Sequence, residues 1–393
     1  MAEAYIVAAA RTAGGRRSGR LSGWHPADLA AEVLDALIDR AGADPAVVDD
    51  VIMGCVSQLG EQSMNVARTA ILASKLPISV PGTTIDRQCG SSQQALHFAA
   101  QAVMSGTMDI VIAAGVEVMS RVPLASANSL AIKNGMGGYI SPRVGERYDH
   151  VEFSQFSGAE AIAKKYALTR ERLDLFALES HHRAIDATRE QRFVDEIVPV
   201  AAIGLDGAVG SEMHTIDEGI RFDASLDGIR SVKTLQEGGM ISAAASSQVC
   251  DGASGVMVVS ERGLKMLGAK PLARVHHISV LGHDPVIMLE APIPATQRAL
   301  KLAGLTIQDI DLYEVNEAFA PIPLAWQKVL DADPARLNVN GGAIALGHPL
   351  GASGTKLMTT LIHALAQRGM RYGLQTMCEG GGLANVTIVE RLQ

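Results

Sequence analysis

"LIDRAGADPAVVDDVIMGC" (37–55) and "ALKLAGLTIQDIDLYEVN" (299–316) read alike: the end of a helix, an Ala-Gly stop, an acidic turn and an apolar strand, with one residue's difference in loop length. The glycine supplies the left-handed residue on which helices commonly end, and the apolar run after the turn has strand character. A second pair repeats the relation on a larger scale. "CGSSQQALHFAAQAVMSGTMDIVIAAG" (89–115) and "GHPLGASGTKLMTTLIHALAQRGMRYGLQTMCEGGG" (347–382) each run glycine-bearing loop, helix, strand, glycine loop. Self-similarity of this kind means that the chain contains two related halves. Both halves alternate strand and helix, which predicts a layered α/β fold.

The patterning predicts strands over 5–9, 50–55, 109–114, 255–260, 272–280, 310–315, 372–377 and 385–390, and helices over 26–41, 91–105, 159–166, 169–190, 292–303, 318–330 and 353–368. Residues 119–246 are of another kind, rich in Arg, Glu, His and Gln, with little periodicity before a charged helix pair. They suit an inserted, partly exposed domain that shapes substrate binding. The expected division is an N-terminal half over 1–118 completed by 247–270, an inserted loop domain over 119–246, and a C-terminal half over 271–393.

The 393 residues are 48% hydrophobic and 19% charged, so the chain can bury a large core. A net charge of −8 gives no basic field for nucleic acid, and no apolar run reaches the length that spans a bilayer. The N-terminal stretch does not read as a secretory signal. Cys55, Cys89, Cys250 and Cys378 are too few and too scattered for a disulfide framework, which points to a reducing, cytoplasmic setting with free thiols.

Four stretches hold candidate chemistry. In "TIDRQCGSSQQALHFAAQA" (84–102), Cys89 stands just before a helix, where first-turn N–H groups and the helix dipole would lower its pKa towards thiolate. In "NVNGGAIALGHPLGASG" (338–354), His348 lies among glycines that let the backbone approach a ligand, and can act as base towards a thiol. "TMCEGGGLANV" (376–386) delivers Cys378 into three glycines whose N–H groups can cradle an oxyanion, and "YEVNEAFAP" (313–321) sets Asn316 and Glu317 at a strand-to-helix junction. Taken singly, each also fits a plain role: a small buried thiol, a hydrogen-bonded histidine, a tight turn, a helix cap.

Together, "DRQCGSSQQA", "VNEAFA", "NGGAIALGHPLGASG" and "CEGGG", with "ASSQVCDGAS" (245–254) as a fifth match, resemble the thiolase family in order and spacing over nearly the whole chain. The resemblance implies two βαβαβαββ halves in a five-layer α-β-α-β-α core with an inserted loop domain. It implies Claisen chemistry on acyl-CoA thioesters by a ping-pong route, with Cys89 as the acylated nucleophile, His348 as acceptor of its proton and Cys378 as acid/base. An enolate oxygen would be held by His348 and a water positioned by Asn316, and a tetrahedral oxyanion by the N–H groups of Cys89 and Gly380. Ser247, Arg221 and Phe319 are the matching positions for coenzyme A, which enters as co-substrate; no tightly bound cofactor and no metal are implied. A homodimer or homotetramer acting on acyl-CoA is implied, without nucleic-acid or membrane partners.

The chain departs from short-chain biosynthetic members, which carry a His-Met pair where it reads "SQFSGAE" (154–160). "GCVSQLGEQSMNVART" (54–69) is similar to degradative bacterial members, including those acting on bulky steroid-derived acyl-CoAs. The expectation is therefore a degradative 3-ketoacyl-CoA thiolase releasing acetyl-CoA or propionyl-CoA and a shortened acyl-CoA, with an acetoacetyl-CoA-forming acetyltransferase as the enzyme alternative. A non-catalytic acyl-CoA or lipid carrier would be expected to lack one of Cys89, His348, Cys378 or Asn316. Glu379 is an unusual neighbour, expected to put a carboxylate beside Cys378 and raise its pKa.

Overall fold

The computed structural model describes residues 2–392, and within them the repeat seen in the sequence becomes two half-sheets of matching strand order. The first half runs β1 (Tyr5–Thr12), α1 (Pro26–Ala41), β2 (Asp50–Gly54), α2 (Val66–Ala73), β3 (Gly82–Ile85), α3 (Ser91–Met104), β4 (Ile110–Val118) and, after the insert, β5 (Cys250–Val259). The second runs β6 (Ala273–Gly282), α4 (Pro292–Ala303), β7 (Leu312–Val315), α5 (Pro321–Leu330), α6 (Ser353–Arg368), β8 (Tyr372–Glu379) and β9 (Leu383–Glu390). The strand orders are β3-β2-β4-β5-β1 and β7-β8-β9-β6, and a short antiparallel contact of Tyr5 with Arg274 and Ile6 with Ala273 joins the two into one sheet.

The strands expected from the sequence are all present. The short β3 and α2 were not expected: "GTTI" is too brief to show a period, and it pairs only along β2, at the sheet edge. In the second half the position of β3 is reduced to a single parallel bridge between Tyr313 and Leu337. Asn338, at φ 45°, cannot continue an extended strand, and its side-chain amide replaces the ladder by bonding both Val315 N and Val315 O at 2.9 Å.

Alternate residues of the strands face opposite layers. Val51, Met53 and Ile112 pack with Leu34 and Leu37 of α1, whereas Val111, Val258 and Ile6 pack with Leu96 of α3 and Met358 and Leu361 of α6. Beyond the second half-sheet, Leu300 and Trp326 of α4 and α5 pack against Tyr313, Leu374 and Ile388. Helices therefore lie outside each half-sheet and between them, five layers in all. Burial on both faces is why these strands read as continuous apolar runs.

Residues 119–246, expected as an insert, are less peripheral than their composition suggests. Their helix Arg170–Arg189 buries Leu173, Phe176 and Ala177, and Ile197 and Val198 extend the sheet by pairing in parallel with Arg11 and Thr12 of β1. Their charges are partly spent inside: Glu196 and Asp217 both bond the fully buried Arg11. Among the described residues, no helix is long and apolar enough to cross a membrane.

Candidate active site

Cys89 precedes α3 on a turn fixed by its neighbours. Gln88 takes a left-handed conformation (φ 49°), and Ser91 Oγ accepts from Arg87 N at 2.9 Å while donating to Gln88 O at 2.6 Å. The helix then begins at Ser91 with Gly90 as its cap. Burial pushes the half-buried Cys89 thiol up to about 12, with the Glu379 carboxyl adding to it. The expected thiolate is thus overturned for the resting protein, because loss of hydration outweighs the helix terminus. Such a thiol needs a base.

His348 is oriented by three bonds. His348 Nδ1 lies 2.5 Å from Ser353 Oγ, and that hydroxyl donates its own hydrogen to Pro349 O at 2.8 Å. Ser353 must therefore accept, so Nδ1 carries the proton and Nε2 presents a lone pair. At 3.3 Å from Nε2 stands Asn316 Nδ2, a donor that fits this tautomer. Burial first and the Lys356 charge second press the imidazole down to about 3, so it is neutral and basic in form at ordinary pH.

The loop that carries His348 is held from below. Glu317, buried, accepts from Ser180 Oγ (2.7 Å), Asn338 Nδ2 (2.9 Å) and Ile344 N (3.1 Å), and Lys356 Nζ donates to Leu346 O at 2.5 Å. Gly347 has φ 80°, and a Cβ there would lie 2.6 Å from Cys250 Sγ. On the other side, Glu117 collects N–H groups from Val56 (2.9 Å), Ser57 (3.0 Å), Gln62 (2.8 Å) and Gly351 (2.9 Å), tying the loop after β2 to the residues that follow His348.

Cys378 is buried near the end of β8, and its thiol is driven well above the ordinary value by burial, then by Cys89, then by Glu379. The glycines after it divide their duties. Gly381 and Gly382 take left-handed turns between β8 and β9, while a Cβ on Gly380 would lie 2.8 Å from Gln88 Oε1, which sets this loop directly against the Cys89 turn. Among the described residues, neither Cys89 N–H nor Gly380 N–H donates to another group of the protein. Glu379 lies beneath Gly90, where a Cβ would overlap its carboxyl, and burial drives that carboxyl well above the carboxylate range. Burial thus disfavours the charge on this carboxyl, which weakens the fixed negative charge expected from the sequence beside the thiols.

A cavity of about 480 Å³ opens alongside, lined by His181, Arg221, Ser225, Ser246, Gln248 and Ile344 among others. Its wall reaches the histidine through Gln248 O, which accepts from His348 N at 3.1 Å. Arg221 lines it as expected, with Asp223 close by. Ser247 sits between two lining residues with its N–H on Ala318 O at 2.9 Å, and Phe319 is paired with Ser246 and edge-on to Phe156 at 5.7 Å. Ser353, Glu117 and Lys356 escaped the sequence reading, and Glu317, which it named at the strand-to-helix junction, was given no role. Only the short spacing of His348 and Ser353 within one glycine-rich loop could have indicated a pair.

The geometry thus gathers Cys89, Cys378 and Gly380 at one meeting of loops and His348 with Asn316 at another, joined through the residues around Glu117 and Gly351. Residues 4–262 match the profile of the thiolase N-terminal domain and residues 269–391 that of the thiolase C-terminal domain. The chain is 52% identical, over all of its length and 95% of the relative's, to the steroid 3-ketoacyl-CoA thiolase FadA6 of Mycobacterium tuberculosis. It is 41% identical to the 3-ketoacyl-CoA thiolase of Pseudoalteromonas translucida, covering 99% of this chain and 98% of that one. The crystal structure of human mitochondrial 3-ketoacyl-CoA thiolase superposes with a TM-score of 0.89 at 33% identity, covering 100% of this chain and 99% of that one. The two family profiles together span nearly the whole chain, the relatives match it over its full length, and the chain belongs to the thiolase family.

Proposed function

We propose that Cys89 carries the acyl group in the degradative thiolysis of 3-ketoacyl-CoA by this thiolase. His348 Nε2 takes the Cys89 proton, and the sulfur adds to the 3-keto carbon. The bond between Cα and the former carbonyl carbon breaks, and Cys378 protonates the departing acetyl-CoA (or propionyl-CoA) carbanion. The acyl-Cys89 is then taken by the thiol of a second CoA, whose proton passes to Cys378 as the new thioester forms, and the Cys89 sulfur released as its bond to the acyl carbon breaks regains its proton from His348. Two separately placed proton-transfer groups are needed because the two half-reactions move protons at different atoms. His348 with a water positioned by Asn316 holds the enolate oxygen, and the free N–H groups of Cys89 and Gly380 hold the tetrahedral oxyanion.

The observation that carries this reading is the fixed tautomer of His348: Ser353, itself committed to Pro349 O, leaves Nε2 as a lone pair in a site whose thiols are protonated at rest. The cavity bounded by Arg221, Ser246 and Gln248 takes coenzyme A, with Arg221 at the phosphates and Ser247 and Phe319 along the pantetheine. Bulky, steroid-derived acyl groups are favoured over acetoacetyl-CoA; the support is the similarity to FadA6 and the lack of the His-Met pair in "SQFSGAE". Four free cysteines suit a reducing cytoplasm, and the family suggests a homo-oligomer. The test is CoA-dependent thiolysis of 3-ketoacyl-CoAs from acetoacetyl-CoA through long-chain to steroid side-chain substrates. Wild type should prefer the long or bulky members and Cys89→Ala should turn over none. Preference for acetoacetyl-CoA would move the assignment to the acetyltransferase, and no turnover at all would leave only a carrier.

A further inference from the structure

Behind Asn316 the structure holds a small polar chamber that none of these steps uses. Glu314 and Asn316 are two apart at the end of β7, so their side chains leave the strand on the same face. They meet Ser353, Lys356 and Thr360 of α6 around a space of about 20 Å³. All five side chains are more than nine-tenths buried. A space of roughly 10–15 Å³ by this measure holds one water, provided that two to four polar groups face it.

One of those groups is conspicuous. Asn316 Nδ2 is engaged with His348 Nε2, but Asn316 Oδ1 is buried without a partner in the protein. A buried amide oxygen left unpaired loses its hydration without recompense, so a partner is expected at that atom. The other polar groups around the chamber are largely occupied: Thr360 Oγ1 donates to Glu196 at 3.0 Å, and Lys356 Nζ serves Leu346 O. Glu314 is the group with hydrogen-bonding capacity to spare. Burial, with the neighbouring Glu317 and Glu196 carboxyls adding, drives its carboxyl well above the carboxylate range, so it has a hydrogen to donate.

We propose that a single buried water bridges the Glu314 carboxyl and Asn316 Oδ1, and that Glu314 is a positioning residue for the enolate-binding pair. In the resting enzyme, before Nε2 takes the Cys89 proton, the hydrogen bonds then share one direction. Glu314 O–H donates to the water, the water to Asn316 Oδ1, Asn316 Nδ2–H to His348 Nε2, His348 Nδ1–H to Ser353 Oγ, and Ser353 O–H to Pro349 O. An amide is nearly symmetric in shape, and turning Asn316 over would set its oxygen against the lone pair of Nε2. A water that receives from Glu314 points a hydrogen at Asn316 and so fixes the amide from behind, as Ser353 fixes the imidazole from the far side. No proton is transferred along this line; it sets orientation only.

The inference rests on the role proposed for Asn316, and its test separates the two. A crystal structure that resolves ordered solvent should show one water within hydrogen-bond distance of both Glu314 and Asn316 Oδ1. Glu314→Leu removes the donor at similar volume and should lower kcat for thiolysis on the order of ten- to a hundredfold, as misplacement near a reacting centre does. KM for CoA and the rate at which preformed acyl-Cys89 is discharged by CoA should be unchanged, because the enolate exists only in the carbon–carbon cleavage. Glu314→Gln, which can still donate, should recover most of the loss. A dry chamber in an enzyme that still cleaves its substrate overturns the relay and leaves the proposed reaction untouched. So does a Glu314→Leu variant of full kcat, or one that loses both half-reactions alike with its melting temperature.

Discussion

The reactivity of His348 is decided one bond away, at Ser353. Because Ser353 Oγ donates to Pro349 O, it has only a lone pair to offer Nδ1, and the imidazole has no freedom of tautomer. Ser353→Ala should leave the fold intact and lower kcat for thiolysis by roughly tenfold or more, since part of the imidazole population would then carry its proton on Nε2; steady-state thiolysis checks it. The thiols make a second prediction. The folded Cys89 thiol is raised to about 12, so its thiolate fraction is small near neutrality and grows as pH rises. Alkylation of Cys89 in the free enzyme should therefore climb through the ordinary thiol range of about 8.5 without a plateau; a plateau below it would show that the helix terminus prevails. Glu379 supplies the third. With its charge disfavoured by burial it contributes mainly shape and hydrogen bonding, so Glu379→Gln should leave the pH–rate profile for thiolysis nearly unmoved, and a shift of its alkaline limb would restore the charge that the sequence suggested.

At the scale of the element, the loop from Asn338 to His348 shows what was legible in the sequence and what was not. Its glycines were read as room for a ligand; at Gly347 the space is taken by the protein itself, because a left-handed φ of 80° coincides with a site where a Cβ would meet Cys250 Sγ at 2.6 Å. Gly347→Ala should cost about 1–3 kcal/mol of stability and displace His348, measurable as a lower melting temperature together with reduced kcat. The strands of the core were readable because burial on both faces makes them uninterrupted apolar runs, and the duplicated stop-turn-strand segments located their partners. The anchors of the loop were not readable. Glu317 finds Ser180 from residues 119–246 and Asn338 from the chain beyond, and Glu117 gathers four N–H groups from two separate segments. Such contacts depend on tertiary placement, which no local period encodes. The same limit explains Asn338, whose backbone departs from the strand while its amide imitates one.

Across the whole molecule, the insert was read as peripheral because charge usually marks a solvated surface. Here the charge is what fastens it. Arg11 of β1 is fully buried and donates through Nη1 and Nη2 to Asp217 at 2.9 and 3.1 Å and through Nε to Glu196 at 2.6 Å, while Lys356 of α6 lies 3.7 Å from Asp217. Two cations and two carboxylates thus connect the insert to both halves, and Lys356 carries the link onward to the carbonyl of Leu346, two residues before His348. Burial alone would push the Asp217 carboxyl up; Arg11 and Lys356 overcome it and hold the group below its ordinary value of 3.8. A carboxyl depressed in the folded state contributes stability in full above its unfolded pKa, and that contribution is lost as the pH falls through the folded value. Asp217→Ala, which strands two buried cations on one carboxylate, should therefore destabilise the protein by about 3–5 kcal/mol at neutral pH, read by urea denaturation. The deficit relative to wild type should shrink as the pH falls below about 4 and through the depressed folded value, where wild type protonates the same carboxyl. If the network serves mainly to fix the insert, Arg11→Met combined with Asp217→Leu should recover much of the stability, because a buried ion pair replaced whole by apolar side chains is often neutral. Thiolysis should recover less, because the His348 loop would still lack the carboxylate that orients Lys356.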